Sequence, residues 1–219
     1  VWKRDIGPRP TVDGTYNQKR TFIGPVLLHT GAASGRLGSA YVLDMSALLD
    51  ESGAIFGVMG RDLLSGGPEQ AWKGRLVVRA GGGGGDEQEL WRLRSGGRRA
   101  ELEAAIDRAL NLAGGGTLCL RPSADDALSD VPTCLGVLRG WVDRGVELLH
   151  DPAAFLTERM RRHAADHIRR STEAFAAFDH GHAVRGVVVG DEPELDAVWG
   201  EVRRVARECC WSLVPATRP

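Results

Sequence analysis

Apolar positions along this chain fall into two rhythms. As far as residue 80 they come as short runs, TFIGPVLLHT, SAYVLDMSALL, AIFGVMG and GRLVVRA, separated by clusters of Gly, Ser and Pro. That pattern predicts short β-segments, with DESG at 50 to 53 as a turn between two of them. From Arg99 onward, helical periods alternate with brief apolar runs. RRAELEAAIDRALNLAGGG puts Leu102, Ala105, Ile106, Ala109 and Leu110 on one helical face, stops at glycines and is followed by TLCL. A helix from about Thr133 to Arg144 then precedes VELL, one from Pro152 to about Phe178 precedes AVRGVVVG, and one from Pro193 to Glu208 precedes WSLVP.

Strand and helix in alternation predict parallel strands joined by helical crossovers. The expected fold class is therefore α/β: a mostly parallel sheet with helical crossovers in the C-terminal part, doubly wound or a close variant, preceded by a β-rich N-terminal region. Between the two rhythms lies AGGGGGDEQE, whose five consecutive glycines carry a high ordering entropy. The expected organisation is a β-rich region over 1–80, a Gly-rich linker or loop over 81–98 and an α/β domain over 99–219.

Composition narrows the classes without choosing one. A chain of 219 residues, 42% hydrophobic and 26% charged, is long enough to bury a core and excludes disordered and collagen-like classes. The formal net charge of -1 gives no global attraction to nucleic acid or an anionic membrane. Arg98-Arg99, Arg161-Arg162 and Arg169-Arg170 stand as phosphate contacts or as solvated surface. The four cysteines, Cys119, Cys134, Cys209 and Cys210, form no C-x-x-C pair, which excludes a zinc ribbon and points to a reducing, cytoplasmic location. No apolar run approaches the roughly 20 residues that span a bilayer, and the opening VWKRDIGPRP has no signal-peptide core, so no membrane association is expected.

In open α/β sheets ligands bind beyond the carboxyl ends of the strands. The residues there are repeatedly acidic: Asp44 ends SAYVLD, Asp125 and Asp126 follow TLCLRPSA, His150 and Asp151 follow VELL, and Asp191 and Glu192 follow VRGVVVG. Carboxylates gathered at one edge repel unless a cation neutralises them, and all-oxygen ligands suit Mg²⁺ or Mn²⁺. A pair of such ions can activate water against a phosphodiester. Beside this stands a structural reading, because Asp151-Pro152 and Asp191-Glu192-Pro193 also have the form of helix N-termini.

VLDMSALL, at 42 to 49, resembles the first strand and turn of PIN-type ribonucleases. VVVGDEPELDAVWGEVRRVARECCWSLVP is similar to the closing strand, acidic turn, helix and strand of PIN and related NYN nucleases. The resemblance implies metal-dependent cleavage of RNA, with Asp44 and Asp191 as catalytic metal ligands. For the middle acids, Asp125 and Asp126 are candidates by sheet position, and Asp166 and Asp179 by order.

A second candidate site lies in RRHAADHIRRSTEAFAAFDHGH, residues 161 to 182, which holds four of the six histidines. Met160, Ala164, Ile168, Phe175 and Phe178 form one helical stripe facing the sheet, leaving His167 at its boundary, His163 further out, and Arg162 and Asp166 nearly opposite. His163 and His167, at i and i+4, have the spacing for a shared metal, and HAADH is similar to the inverted zinc motif H-x-x-E-H, with His182 as a third ligand. Arg162-His163-x-x-x-His167 also resembles the R-x4-H motif of HEPN ribonucleases, which implies metal-independent RNA cleavage. DHGH at 179 to 182 reads most simply as a helix C-terminus. The competing function is a non-catalytic module whose β-rich N-terminal region binds a protein partner in a larger assembly.

Overall fold

A computed structural model describes residues 47–81, 99–178 and 183–216. In chain order the strands are β1 (Ala47–Leu49), β2 (Ile55–Met59), β3 (Arg75–Val78), β4 (Thr117–Leu120), β5 (Val146–His150), β6 (Val184–Val189) and β7 (Ser212–Pro215). The helices are α1 (Arg99–Leu112), α2 (Val131–Trp141), α3 (Ala164–Ala176) and α4 (Asp196–Glu208). All these strands join one sheet in sequential order, β1 antiparallel to β2 and every later neighbour parallel. After β1 the chain reaches back to the last strand, where the Glu51 N–H donates to the Leu213 carbonyl at 2.8 Å, so the sheet is nearly closed.

The α/β class with a largely parallel sheet is as the alternation predicts, but the winding is single rather than double. One face carries Leu48, Phe56, Val77, Cys119, Leu149 and Val214 packed on one another, and the helices cover the other. There Ile106 of α1, Leu138 of α2, Ile168 and Phe175 of α3 and Trp199 of α4 pack in one core with Leu118, Leu120, Leu148 and Val187. Apart from Thr117 and Glu147 at the amino end, TLCL and VELL bury apolar side chains on both faces, because a strand enclosed between an inner core and an outer helix has no solvent side. β3 lies in register with β4, Arg75 to Val78 against Thr117 to Leu120, so strands of the 1–80 region and of the 99–219 region share one sheet.

The amino end of the enclosed face is polar and paired. Glu147, 6% exposed, accepts from Arg75 Nε and Arg185 Nε at 2.7 Å each and from Thr117 Oγ1 at 3.3 Å. Arg75 also lies 4.5 Å over the Phe56 ring and donates to the Phe56 carbonyl at 2.9 Å. A buried carboxylate persists here because two cations and a hydroxyl replace its water.

Two local outcomes differ from the sequence expectation. The long helix from Pro152 is broken into 3-10 turns at Ala153–Phe155 and Glu158–His163 before α3 begins. Asp151 caps the first turn by accepting from the Ala154 N–H at 3.2 Å, and the chain then runs extended through Leu156 and Thr157, which no helix can cross. The second helix starts earlier than Thr133, since Asp130 is its N-cap, accepting from the Thr133 N–H at 2.8 Å with Pro132 in the first turn. DESG does turn as expected: Asp50 Oδ1 accepts from the N–H groups of Ser52 and Ala54, and Gly53 takes φ +80°. TFIGPVLLHT and all of the five-glycine run after Gly81 lie outside the described residues.

Candidate functional site

The alternation that points Val77, Cys119 and Leu149 into the enclosed face carries on, two residues later, to Arg79, Arg121 and Asp151. These three side chains belong to the carboxyl mouth of the nearly closed sheet. Val78 and Leu120 are register partners, so Arg79 and Arg121 leave adjacent strands side by side, about 4.8 Å apart along the hydrogen-bonding direction. Each arginine meets a carboxylate from the loop of the next strand. Arg79 donates through Nε and Nη2 to the two oxygens of Asp126, at 3.2 and 2.9 Å, and Arg121 donates through the same atoms to Asp151 Oδ2, at 2.9 and 2.7 Å.

Both carboxylates are buried, whereas 41% of the Arg79 side chain and 23% of the Arg121 side chain face outward. The arginines are thus fixed from beneath. Gly81 belongs to this edge by necessity: a Cβ there would lie 2.7 Å from Asp126 Oδ1 and 3.0 Å from Asp62 Oδ2, so the two carboxylates flank one backbone position. Burial pushes the Asp126 carboxyl up, the Arg79 guanidinium pulls it down, and Asp62 and Asp125 push it up again, leaving it above the ordinary value. The Asp126 hydrogen bond in turn raises Arg79.

Asp44, a proposed metal ligand, and His182 and Asp179 lie outside the described residues. Asp125 and Asp191 are exposed, Asp126 is buried against Arg79, and Glu192 accepts from Trp199 Nε1 at 2.9 Å. Arg162 and His163 are exposed on the 3-10 turn ahead of α3, and His167 is half-buried on α3, on the outer helical layer. The carboxylates are oxygen ligands of the kind that Mg²⁺ and Mn²⁺ take, but Asp126 and Asp151 are already neutralised by arginines. Among the described residues no group of three or more His, Cys, Asp or Glu is placed to hold a metal ion.

The acids after the strands stand out in the sequence, whereas Arg79 and Arg121 do not. The signal was present in RLVVRA and TLCLRP, two neighbouring apolar runs each ending in Arg. His150, which follows VELL in the sequence, sits wholly buried among Phe155 and Phe175, ring centroids 5.9 and 4.7 Å away. Its Nε2 lies 3.3 Å from Thr172 Oγ1 and 3.4 Å from Ser171 Oγ, and both hydroxyls donate their one proton to the Ile168 carbonyl. Nε2 is therefore the protonated nitrogen and Nδ1 a buried acceptor with no partner. Burial lowers the His150 pKa to about 3.

The fold and this edge define an α/β protein with a nearly closed, largely parallel sheet. No protein-family model matches the chain, and neither a curated protein nor a solved structure matches it. Among the described residues no helix is long and apolar enough to cross a membrane.

Proposed function

We propose that the carboxyl mouth of the sheet is the reaction centre of a phosphodiesterase, with RNA the substrate class to which the sequence resemblance points. The observation that carries this reading is the pair of arginines one residue past neighbouring parallel strands, each clamped side-on by a buried carboxylate. Such a guanidinium has lost its rotamer freedom before a ligand arrives, and its fork of N–H groups matches phosphate oxygens. Donors fixed in advance stabilise charge that develops on phosphate oxygens as the ester is attacked. Parallel sheets and barrels place their sites at this end of the strands, an analogy of architecture and not of chemistry.

In this reading Arg79 and Arg121 hold the phosphate, while Asp126 and Asp151 position them. Asp62 and Asp125 stand at the same edge to orient water and take its proton. Metal dependence is a separable part: Mg²⁺ or Mn²⁺ on Asp44 and Asp191, completed by Asp125 rather than by Asp126, both of whose oxygens Arg79 occupies. The described residues alone form no such cage.

The test is hydrolysis of single-stranded RNA and of bis(p-nitrophenyl) phosphate by the wild type, Arg79→Lys and Arg121→Lys, with Mn²⁺ titrated against the wild type and Asp44→Asn. Each lysine variant keeps a charge but loses the fork, and kcat/KM is expected to fall about a hundredfold. Absence of hydrolysis by the wild type with and without Mn²⁺, or lysine variants as fast as the wild type, would refute the reading. The non-catalytic alternative has one observation of its own. Leu49 and Ile55 face each other across β1 and β2 and are 48% and 70% exposed, an apolar pair that a protein partner would cover. On that reading the Leu49→Ser, Ile55→Ser double variant loses a partner that the wild type retains on size-exclusion chromatography.

A further inference from the structure

The connection between β5 and α3 carries a strip of arginines with a surplus of positive charge. It starts at the carboxyl mouth: Asp151 clamps Arg121, and the Ala154 carbonyl of the next turn accepts from the Ala124 N–H of the β4 loop at 2.7 Å. Seven residues separate Asp151 from Arg159, so the strip lies within about 25 Å of the mouth. In the 3-10 turn Glu158–His163, side chains three apart eclipse one another, which sorts the turn into three edges. Glu158 and Arg161 form one edge and bond each other at 3.0 Å. Met160 begins the second and lines a groove with Phe155 and His167. Arg159 and Arg162 form the third, both exposed and about 6 Å apart along the turn.

The neighbouring charges leave these two guanidiniums over. From Thr157 to Arg170 there are five arginines, and three of them have carboxylates: Arg161 has Glu158, Arg170 has Asp166 at 3.1 Å and Arg169 has Glu201 at 2.7 Å. Across the groove that Met160 lines, Asp130 is offset by Arg139. Among the described residues no carboxylate is paired with Arg159 or Arg162.

We infer that this strip is a track for the RNA chain, with Arg159 and Arg162 each holding a phosphate of the nucleotides that flank the one at the carboxyl mouth. The inference rests on the reading of the mouth as a phosphodiesterase centre, and it places the rest of the polymeric substrate. Arg79 and Arg121 are each matched by a buried carboxylate, so the mouth can position one phosphate but has no surplus charge to attract a chain. Attraction for a chain comes from unmatched cations, which release counterions from the phosphates they neutralise. Two forks about 6 Å apart on one edge suit successive phosphates of an extended strand, each fork taking two oxygens at once. Contacts of this kind hold the backbone without reading bases, so the track is indifferent to sequence.

The experiment is fluorescence anisotropy of the full chain with a labelled oligouridylate of about 12 nucleotides, over about 50 to 300 mM NaCl. Wild-type affinity is expected to fall with salt. Arg159→Gln with Arg162→Gln is expected to flatten the slope of log affinity against log salt by about 1.4, and to weaken binding about tenfold at about 0.1 M salt. Arg108→Gln with Arg207→Gln removes the same charge near the C-termini of α1 and α4, and is expected to leave the slope unchanged. Hydrolysis of bis(p-nitrophenyl) phosphate by the wild type, run in parallel, reports on the mouth alone. Its absence beside a flattened slope refutes the centre and keeps the track, whereas an unchanged slope beside intact hydrolysis refutes the track and keeps the centre. The inference is also overturned if the wild type binds no oligouridylate, or if the Arg108, Arg207 variant flattens the slope equally. Displacement of the RNA by decaglutamate as readily as by unlabelled RNA of equal charge would overturn it too, and would make the strip a dock for an acidic protein.

Discussion

His150 offers the sharpest test of the buried chemistry, because its environment predicts a pH dependence of known sign. The native state keeps the ring neutral down to about pH 3, whereas an unfolded histidine titrates near 6.5. Charging it in place would put a proton on Nδ1, which has no acceptor and is surrounded by Phe155 and Phe175. Between those two pKa values the unfolded state therefore binds one more proton than the folded state. Stability is fully present above about pH 6.5 and falls as pH drops, by about 1.4 kcal/mol per pH unit, or about 2 kcal/mol by pH 5. Urea unfolding from pH 7.5 to 5 measures it. His150→Phe keeps an aromatic ring beside Phe155 and Phe175 but removes the titrating group, and His150→Leu serves if the larger ring does not fit. Relative to either variant the wild type should lose about 2 kcal/mol more over the window, with unchanged denaturant slope. If variant and wild type lose the same stability, His150 is not held neutral and the account of its pocket is wrong.

Further expectations concern the sheet and its caps. Glu147→Ala leaves Arg75 and Arg185 facing each other without their shared carboxylate, and chemical denaturation should show a loss of about 3 kcal/mol, at the lower end for a broken buried pair because both arginines are partly wetted. Gly190→Ala drives a methyl to 2.6 Å from the Trp199 ring, so a loss of about 1–3 kcal/mol with a changed tryptophan emission is expected. Asp130→Ala strips the N-cap of α2 and should cost about 1 kcal/mol in the same assay, with an unchanged result arguing against the cap.

Much of the fold was legible as periodicity. TLCL, VELL, AVRGVVVG and WSLVP are β4, β5, β6 and β7, and the face Leu102, Ala105, Ile106 and Ala109 of α1 is the buried one. The site was legible only in part. Asp126 and Asp151 were visible as acids following strands, but their partners were not, because Arg79 and Arg121 lie 47 and 30 residues away along the chain.

Local sequence sets which residues can form helix or strand and where each must start and stop, since hydrophobic period, capping side chains and glycine at positive φ all act within a few residues. For this protein that determined the order of elements from β2 onward and the turn at Asp50 to Gly53. Only the tertiary structure decided that the strands wind consecutively into a nearly closed sheet, that Glu147 is enclosed by Arg75 and Arg185, and that the acids at the carboxyl edge meet arginines. These outcomes depend on which strand ends lie side by side in space, and a carboxylate takes its partner and its proton affinity from that neighbourhood.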